Sequence, residues 1–336
     1  MKINKHIEIA RTSQAPYSSM GDASALRIQA VLSEHYEEVG ISIVDTSADL
    51  EILVRKKPDL VFLGLKKLPS LGVRNDGQVN DVWISEYLDQ RGVSYTGSSK
   101  AATKLDFNKA EAKVRVRSAG LSTAPFFTSL PGSHPSADSL PLPFPLFIKP
   151  LNCGGGNGVG EDSVVRNFSE FQDKVGTVFN QFGSSSLVEK YLTGREFSVA
   201  ILEDVDCGDL AVMPIEIITE QNSRGDRVLG SIVKHEDNEQ VIAVDEAGTR
   251  DMLSSFAKVI YEVLGARDLA RIDIRMDEQG AAYFLEANFM PAPGSRYFAG
   301  AFQINDGMDY ESVILAIAGL GLSRSEDVEQ LLARAV

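Results

Sequence analysis

Residues 271–277 read Arg271-Ile-Asp-Ile-Arg-Met-Asp277, and after a short turn residues 281–288 read Ala281-Ala-Tyr-Phe-Leu-Glu-Ala-Asn288. Both halves alternate polar and apolar residues with the period of two that marks half-buried strands. Between them Asp277-Glu278-Gln279-Gly280 has the composition of a hairpin turn. Pairing Asp277 with Gly280 sets Arg271 opposite Glu286 and Asp273 opposite Phe284. Side chains at i and i+2 share a face. Arg271, Asp273, Glu286 and Asn288 are therefore expected on one side, and Ile272, Ile274 and Leu285 on the other. Cross-strand neighbours have Cβ atoms roughly 4.5–5.5 Å apart and diagonal ones about 7–8 Å. Two carboxylates and a carboxamide at that range form an oxygen-rich nest for a hard divalent cation, with Arg271 at its edge. Taken alone, such a hairpin more often simply presents an exposed, charged face; the rest of the chain decides between the two.

A chain of 336 residues is too long for one small core and points to two or three domains. Its 43% apolar and 24% charged residues are ordinary for a globular protein. No apolar run reaches the roughly 18–20 residues of a membrane span, and the first residues lack the apolar segment of a signal peptide. Cys153 and Cys207 make no disulfide framework, and no Cys/His cluster has zinc spacing. A soluble cytoplasmic protein is expected, with no membrane partner. The net charge of −14 supplies no basic face for nucleic acid, so an anionic ligand must be held by a few placed cations and a metal.

Along the chain, residues 6–13 read as a strand. Asp22 to Val39 reads as a helix with Ala23, Leu26, Ala30 and Val31 inward, stopped by Gly40. Strands follow at 41–44, 59–65 and 93–96, with a helix from Asn80 to Arg91 closed by Gly92. This alternation describes a small α/β domain with a mostly parallel sheet, and its 66–77 loop is long enough to be functional. A helix from about Asp106 to Ser118 ends at Gly120. The Pro- and Ser-rich stretch 131–145 reads as a linker or surface loop. A strand at 145–149 is followed by a helix from Phe168 to about Phe182, with Ser169 and Gln172 as a capping box. Strands are expected at 187–192, 196–202 and 210–218. A helix capped by Thr249 follows, with Phe256, Val259, Ile260 and Val263 inward, then the hairpin and a helix near 310–318. The domain bounds expected are 1–103 for the N-terminal α/β domain, 104–186 for a central unit, 187–322 for a C-terminal unit, and 323–336 for a tail.

Five glycines crowd residues 154–160, among them Gly155, Gly156 and Gly158. Such a loop lets backbone amides approach a phosphate. It contains no G-x-G-x-x-G triplet, which excludes the dinucleotide fingerprint, and Glu161 stands where a P-loop needs lysine. The lysine comes earlier, at Lys149 on the preceding strand. A strand-borne lysine leading into a glycine flap suits a phosphate tail clamped from above, although a lysine at a strand end is as often a plain surface residue.

Tyr95-Thr-Gly97-Ser, Asn108-Lys109, Phe147-Ile-Lys149-Pro, the glycine loop, Leu187-Val-Glu189-Lys190-Tyr-Leu-Thr-Gly194-Arg-Glu196, Arg271-Ile-Asp273 and Leu285-Glu286-Ala-Asn288 follow one another in this order. Together they resemble the D-alanine–D-alanine ligase family of the ATP-grasp superfamily, from about Asp76 onward. The resemblance implies three domains, with ATP held between the central and C-terminal ones. It implies a ligase that phosphorylates a carboxylate with ATP and lets an amine attack the acyl phosphate, releasing ADP and phosphate. Lys109 and Lys149 resemble the nucleotide phosphate ligands. Glu189, Lys190 and the Leu192 backbone resemble the adenine-binding strand, and Glu196 the ribose partner. Asp273, Glu286 and Asn288 resemble the ligands of magnesium, usually two ions, with manganese as a substitute. Arg271 resembles the residue that stabilises the acyl phosphate, and Lys234 the flap lysine that reaches the γ-phosphate. Amino-acid-like small molecules are the implied substrates and a homodimer the implied assembly.

The chemistry fits these roles on its own terms: phosphoryl transfer needs its moving charge neutralised, and an oxyanion needs a fixed donor. No Ser-His-Asp or Cys-His pairing suggests a covalent enzyme intermediate, and Cys153 reads as a bystander. The departures from the family fall on substrate recognition. The stretch 17–24 lacks the glutamate that holds the first amino acid's ammonium group, although Asp22 is near. The His-Gly-x-x-Gly-Glu-Asp-Gly loop survives only as Asn75-Asp76-Gly77, with Ser70 roughly in place of the histidine. After Asn288 the chain reads Phe289-Met-Pro-Ala-Pro-Gly-Ser-Arg-Tyr297, with Ala292 in place of a glycine. Ser295, Arg296 and Tyr297 are the candidate substrate residues, and the planar fork of Arg296 matches a carboxylate. Substrates other than two D-alanines are expected. The rival readings are a D-alanine–D-alanine ligase with a divergent pocket, a non-catalytic ATP-binding module, and a kinase using the same grasp.

Overall fold

The computed structural model describes residues 1–14, 19–68, 81–205, 207–236 and 238–334; for residues 232, 234, 235 and 325–334 it describes the backbone alone. The N-terminal part runs β1 (Ile3–Arg11), α1 (Asp22–His35), β2 (Tyr36–Ile43), α2 (Ser47–Arg55), β3 (Leu60–Leu63), β4 (Lys67–Leu68), β5 (Val82–Trp83), α3 (Ile84–Asp89) and α4 (Lys100–Thr103). Its three-stranded sheet has the order β2-β1-β3 and is parallel throughout, as the β–α alternation requires. A parallel bridge from Val61 to Tyr95 extends it.

Here two readings are corrected. The first helix stops at His35 and the chain turns straight into β2, because Tyr36, Val39, Ile41 and Ile43 suit a pleated strand better than another helical turn. Gly40 is no helix stop; it lies within β2 opposite Glu8, where any side chain would collide with the Glu8 carboxylate. The buried face of α1 is Ala25, Ile28 and Leu32, an i, i+3, i+7 stripe, and Leu26 faces solvent. The unexpected α2 is opened by Thr46 and Asp49, whose side chains satisfy each other's backbone N–H groups.

The central part comprises α5 (Lys109–Ser118), β6 (Phe126–Ser129), β7 (Leu146–Pro150), β8 (Val164–Val165), α6 (Phe168–Phe182) and β9 (Ser186–Lys190). The strands form an antiparallel sheet of order β6-β9-β7-β8, so the strand just past position 186 belongs to this sheet. Helix α6 covers one face through Phe171 and Val175. Its cap is Asn167, which accepts from the N–H of Glu170, rather than Ser169. The Pro-rich stretch lies over the same cluster through Leu140, Leu142 and Phe144, a packed strap.

The C-terminal part contains β10 (Glu196–Glu203), β11 (Leu210–Ile218), α7 (Ser231–Glu236), β12 (Gln240–Ala243), α8 (Ala247–Leu264), β13 (Leu269–Met276), β14 (Ala282–Asn288), α9 (Ala299–Asp306) and α10 (Tyr310–Arg334). Its five strands form an antiparallel sheet of order β12-β11-β10-β13-β14. One face packs Phe197, Ile272, Ile274 and Phe284 against α8 and α5. On α8 the buried residues are Leu253, Ala257, Ile260, Tyr261 and Leu264, while Val259 is exposed and Glu246 precedes the first turn in place of Thr249. The other face meets α9, α10 and the N-terminal sheet around Phe298, Phe302, Ile314 and Ile317. Residues 323–334, expected as a tail, continue α10. Among the described residues no helix is long and apolar enough to cross a membrane.

Candidate active site

The expected register of the hairpin is corrected by two positions. Asp277 donates to the carbonyl of Ala281, so the turn is one residue longer, with Gly280 at φ +80°. A bulge then inserts Leu285: Ile274 pairs with Phe284, but Asp273 pairs with Glu286 and Arg271 with Asn288. The extra residue reverses the alternation. Phe284 turns into the core with Ile272 and Ile274, while Leu285 and Glu286 both line a cleft on the opposite face. Asp273 and Glu286 are thus cross-strand partners rather than diagonal neighbours.

That cleft lies between the central and C-terminal sheets. The space within it is about 800 Å³, part of it open to solvent. Lys109, Lys149, Gly156, Glu189, Lys190, Leu192, Glu196, Asp273 and Glu286 all line it. Phe147, Val159, Tyr191, Leu229 and Leu285 add an apolar wall, with Phe147 and Tyr191 stacked at 6.3 Å. Gly155 and Gly158, at φ +68° and +74°, shape the loop around Gly156 without lining the cleft themselves. Gly156 abuts the Gly230–Ser231 backbone, which leaves no room for a side chain.

The carboxylates of the cleft are each held by a cation. Lys149 Nζ lies 3.1 Å from Glu189 and 3.4 Å from Glu286. Burial opposes its charge, but the two carboxylates outweigh burial and raise its pKa. Lys109, 4.0 Å from Glu286, donates to the carbonyl of Cys153, and burial lowers its pKa. The same burial raises that of the Cys153 thiol, which agrees with a bystander. Glu189 is pinned between Lys149 and Lys113, so its carboxylate serves this ion network rather than standing open to a base edge. Arg275 donates to Glu196 at 3.0 Å. Arg271 grips Asp273 with two bonds of 3.0 Å, and Ser198 donates to the same carboxylate at 2.6 Å.

Beyond the hairpin, the Tyr297 ring lies 5.4 Å from the Arg271 guanidinium and its hydroxyl donates to buried Glu239. Arg296 reaches the Glu239 carbonyl at 3.0 Å. The Ser295 hydroxyl is buried with no hydrogen-bond partner among the described residues. Asp22 pairs with Arg11. The Lys234 side chain, Ser70 and residues 75–77 lie outside the described residues. Sequence reading missed Lys113, although it sits one helical turn from Lys109 on α5, and it missed Ser198, Arg275 and Glu239, which only the folded sheet brings near.

A family model described as D-ala D-ala ligase C-terminus matches residues 116–318. The chain belongs to that family. Its members are ATP-dependent enzymes that form C–N bonds, and the chain is a ligase of this type with the ATP-grasp fold. It is 27% identical over 305 residues to the D-alanine–D-alanine ligase of Geotalea uraniireducens (strain Rf4), covering 88% of this chain and 89% of that one. It is 29% identical over 300 residues to D-alanine–D-alanine ligase B of Mesorhizobium japonicum (strain LMG 29417 / CECT 9101 / MAFF 303099), covering 86% and 88%. In fold it is similar to the D-alanine–D-alanine ligase of Bacillus anthracis complexed with ATP, with a TM-score of 0.73, 19% identity and coverage of 97% and 99%. The D-Ala:D-Ser ligase VanG of Enterococcus faecalis superposes with a TM-score of 0.68, 19% identity and coverage of 95% and 99%.

Proposed function

We propose that this ligase joins an amino-acid-like carboxylate to an amine, and that its substrates are not two D-alanines. The observation that carries the chemistry is the convergence of Lys109 and Lys149 on Glu286, itself paired across the hairpin with Asp273. In this reading the apolar wall receives the base, Glu196 the ribose, and Lys109, Lys149 and the glycine loop the phosphates. One carboxylate oxygen forms a bond to the γ-phosphorus as the bond to the bridging oxygen of ADP breaks. The amine nitrogen then bonds to the carboxyl carbon, phosphate leaves with the C–O electrons, and the amine proton is lost. Arg271, fixed by Asp273 and Tyr297, is aimed at the charge that develops on the acyl oxygens.

Asp273, Glu286 and Asn288 fit magnesium or manganese, because the donor set is all hard oxygen and two of its members face each other across paired strands. Such an ion supplies charge neutralisation for phosphoryl transfer. The substrate reading rests on the departures in sequence: Ala292, Arg296 and Tyr297 follow the hairpin, and Asp22 is engaged by Arg11. Against it stands the activity for which the relatives are named, which joins two D-alanines.

The test is ATP-dependent condensation of amino acid pairs of both chiralities, with ADP followed and products read by mass. The expected result is an amide whose mass is the sum of both acids less water, formed faster from some other pair than from D-alanine alone. D-alanine as the best acid and amine removes the substrate reading. Phosphate left on a substrate points to a kinase, and nucleotide binding without turnover points to a non-catalytic module.

A further inference from the structure

Lys66 opens the 66–77 loop, three residues past the end of β3, in the N-terminal layer, and belongs to none of the motifs quoted above. Its Nζ is nevertheless 3.1 Å from Asn288 Oδ1 and 2.6 Å from Asp106 Oδ2. Only 16% of the Lys66 side chain and 8% of that of Asp106 reach solvent. Asp106 is itself held by the N–H of Phe289 at 3.3 Å. A lysine with this anchor is set in place before any ligand arrives, so little side-chain entropy is left to lose on binding.

Each proposed metal donor is thus matched by a protein cation: Asp273 by Arg271, Glu286 by Lys149 and Lys109, and Asn288 by Lys66. A divalent ion on those oxygens repels all four at short range. Arg271, Lys109 and Lys149 then have the transferring phosphate group and the nucleotide to turn to. Lys66 is contributed from outside the nucleotide cleft, which its side chain does not line. Asp106 stays its anchor, and the further anion of this reaction that no other cation has been given is the substrate's own carboxyl group.

We propose that Lys66 is a further substrate-binding residue, which holds the non-attacking carboxyl oxygen of the acid being activated while Asp106 keeps the ammonium in place. This rests on the ligase reading above. The test compares Lys66→Met, Lys66→Arg and the double variant Lys66→Met/Asp106→Asn, the last sparing Asp106 an unpaired buried charge. Calorimetry with a non-hydrolysable ATP analogue and magnesium is expected to show binding within about 3-fold of wild type in all three. In ADP-release assays Lys66→Met and the double variant are expected to raise the KM for the acid by roughly 10–100-fold, the scale of a lost charged hydrogen bond, with Lys66→Arg recovering part of it. An unchanged acid KM in a folded Lys66→Met or double variant overturns the assignment of Lys66 alone. A wild-type protein that binds the analogue but turns over no amino acid pair overturns the ligase reading and this proposal with it.

Discussion

Lys113 and Glu189 form an ion pair sealed from solvent: Nζ lies 2.5 Å from Oε1, and the side chains are 0% and 3% exposed. The pair ties α5 to β9, and Lys149 takes the other carboxylate oxygen at 3.1 Å. Removing Lys113 leaves buried charge without its partner. Lys113→Met is expected to cost about 3–5 kcal/mol in denaturant unfolding. The double variant Lys113→Met/Glu189→Gln should lose less than the sum of the two single losses, since the sites are coupled. Additive losses would show that the pair contributes nothing as a pair.

Arg271, held by Asp273, is proposed to serve the chemistry rather than nucleotide binding. Arg271→Met is expected to lower turnover about 10²–10³-fold, the scale of one lost oxyanion donor, while nucleotide binding changes little. Chelation is expected to abolish ADP release and magnesium to restore it, with Asp273→Asn needing more magnesium for half activity. Turnover that survives exhaustive chelation would remove the metal from the proposal.

The bulge in β14 makes two adjacent apolar residues unequal. Phe284 is buried in the core, whereas Leu285 lines the cleft. Phe284→Ala is expected to cost about 3–5 kcal/mol of stability, and Leu285→Ala much less, with its effect on the KM for ATP instead. Equal stability losses in thermal unfolding would mean that the strand runs without the bulge.

Glu8 is buried in the N-terminal sheet, bonded to Ser42 at 2.6 Å, Lys56 at 2.9 Å and His6 at 3.0 Å. Burial opposes its charge, but these partners prevail and hold its pKa below the ordinary 4.5. The unfolded chain therefore binds more protons, and stability falls as pH drops through 4.5 towards the folded-state value. Glu8→Gln is expected to flatten that acid slope and to cost roughly 1.5–3 kcal/mol at neutral pH. Parallel pH–stability curves for the two proteins would contradict the assignment.

What could be read from the sequence was what depends on neighbours in the chain. The hairpin, the glycine loop and the lysines before it were legible because alternation and spacing are local, and the structure brings Lys109, Lys149, Glu189, Glu196, Asp273 and Glu286 to one cleft. The register was not, because an inserted residue such as Leu285 leaves the hydrophobic alternation ambiguous where Phe284 and Leu285 adjoin. The face of α1 was misread because Ala23, Leu26, Ala30 and Val31 offered a competing apolar stripe. Lys66 had no signal beyond its place at the start of the long 66–77 loop: its partners Asp106 and Asn288 lie 40 and 222 positions away, and only the packing of the N-terminal layer on the hairpin unites them.

The Gly321–Arg324 stretch of helix α10 packs against the N-terminal layer. Gly321 packs on Leu60 of β3, and Arg324 joins the carboxylate of Asp268 to the carbonyl of Tyr95 at the outer edge of the N-terminal sheet. First and last segments are in effect one building block whose two pieces are encoded at opposite termini. Anyone seeking to transplant the opening hundred residues into a relative, to exchange acid preference, must therefore carry the closing helix with them or expect an insoluble chimaera.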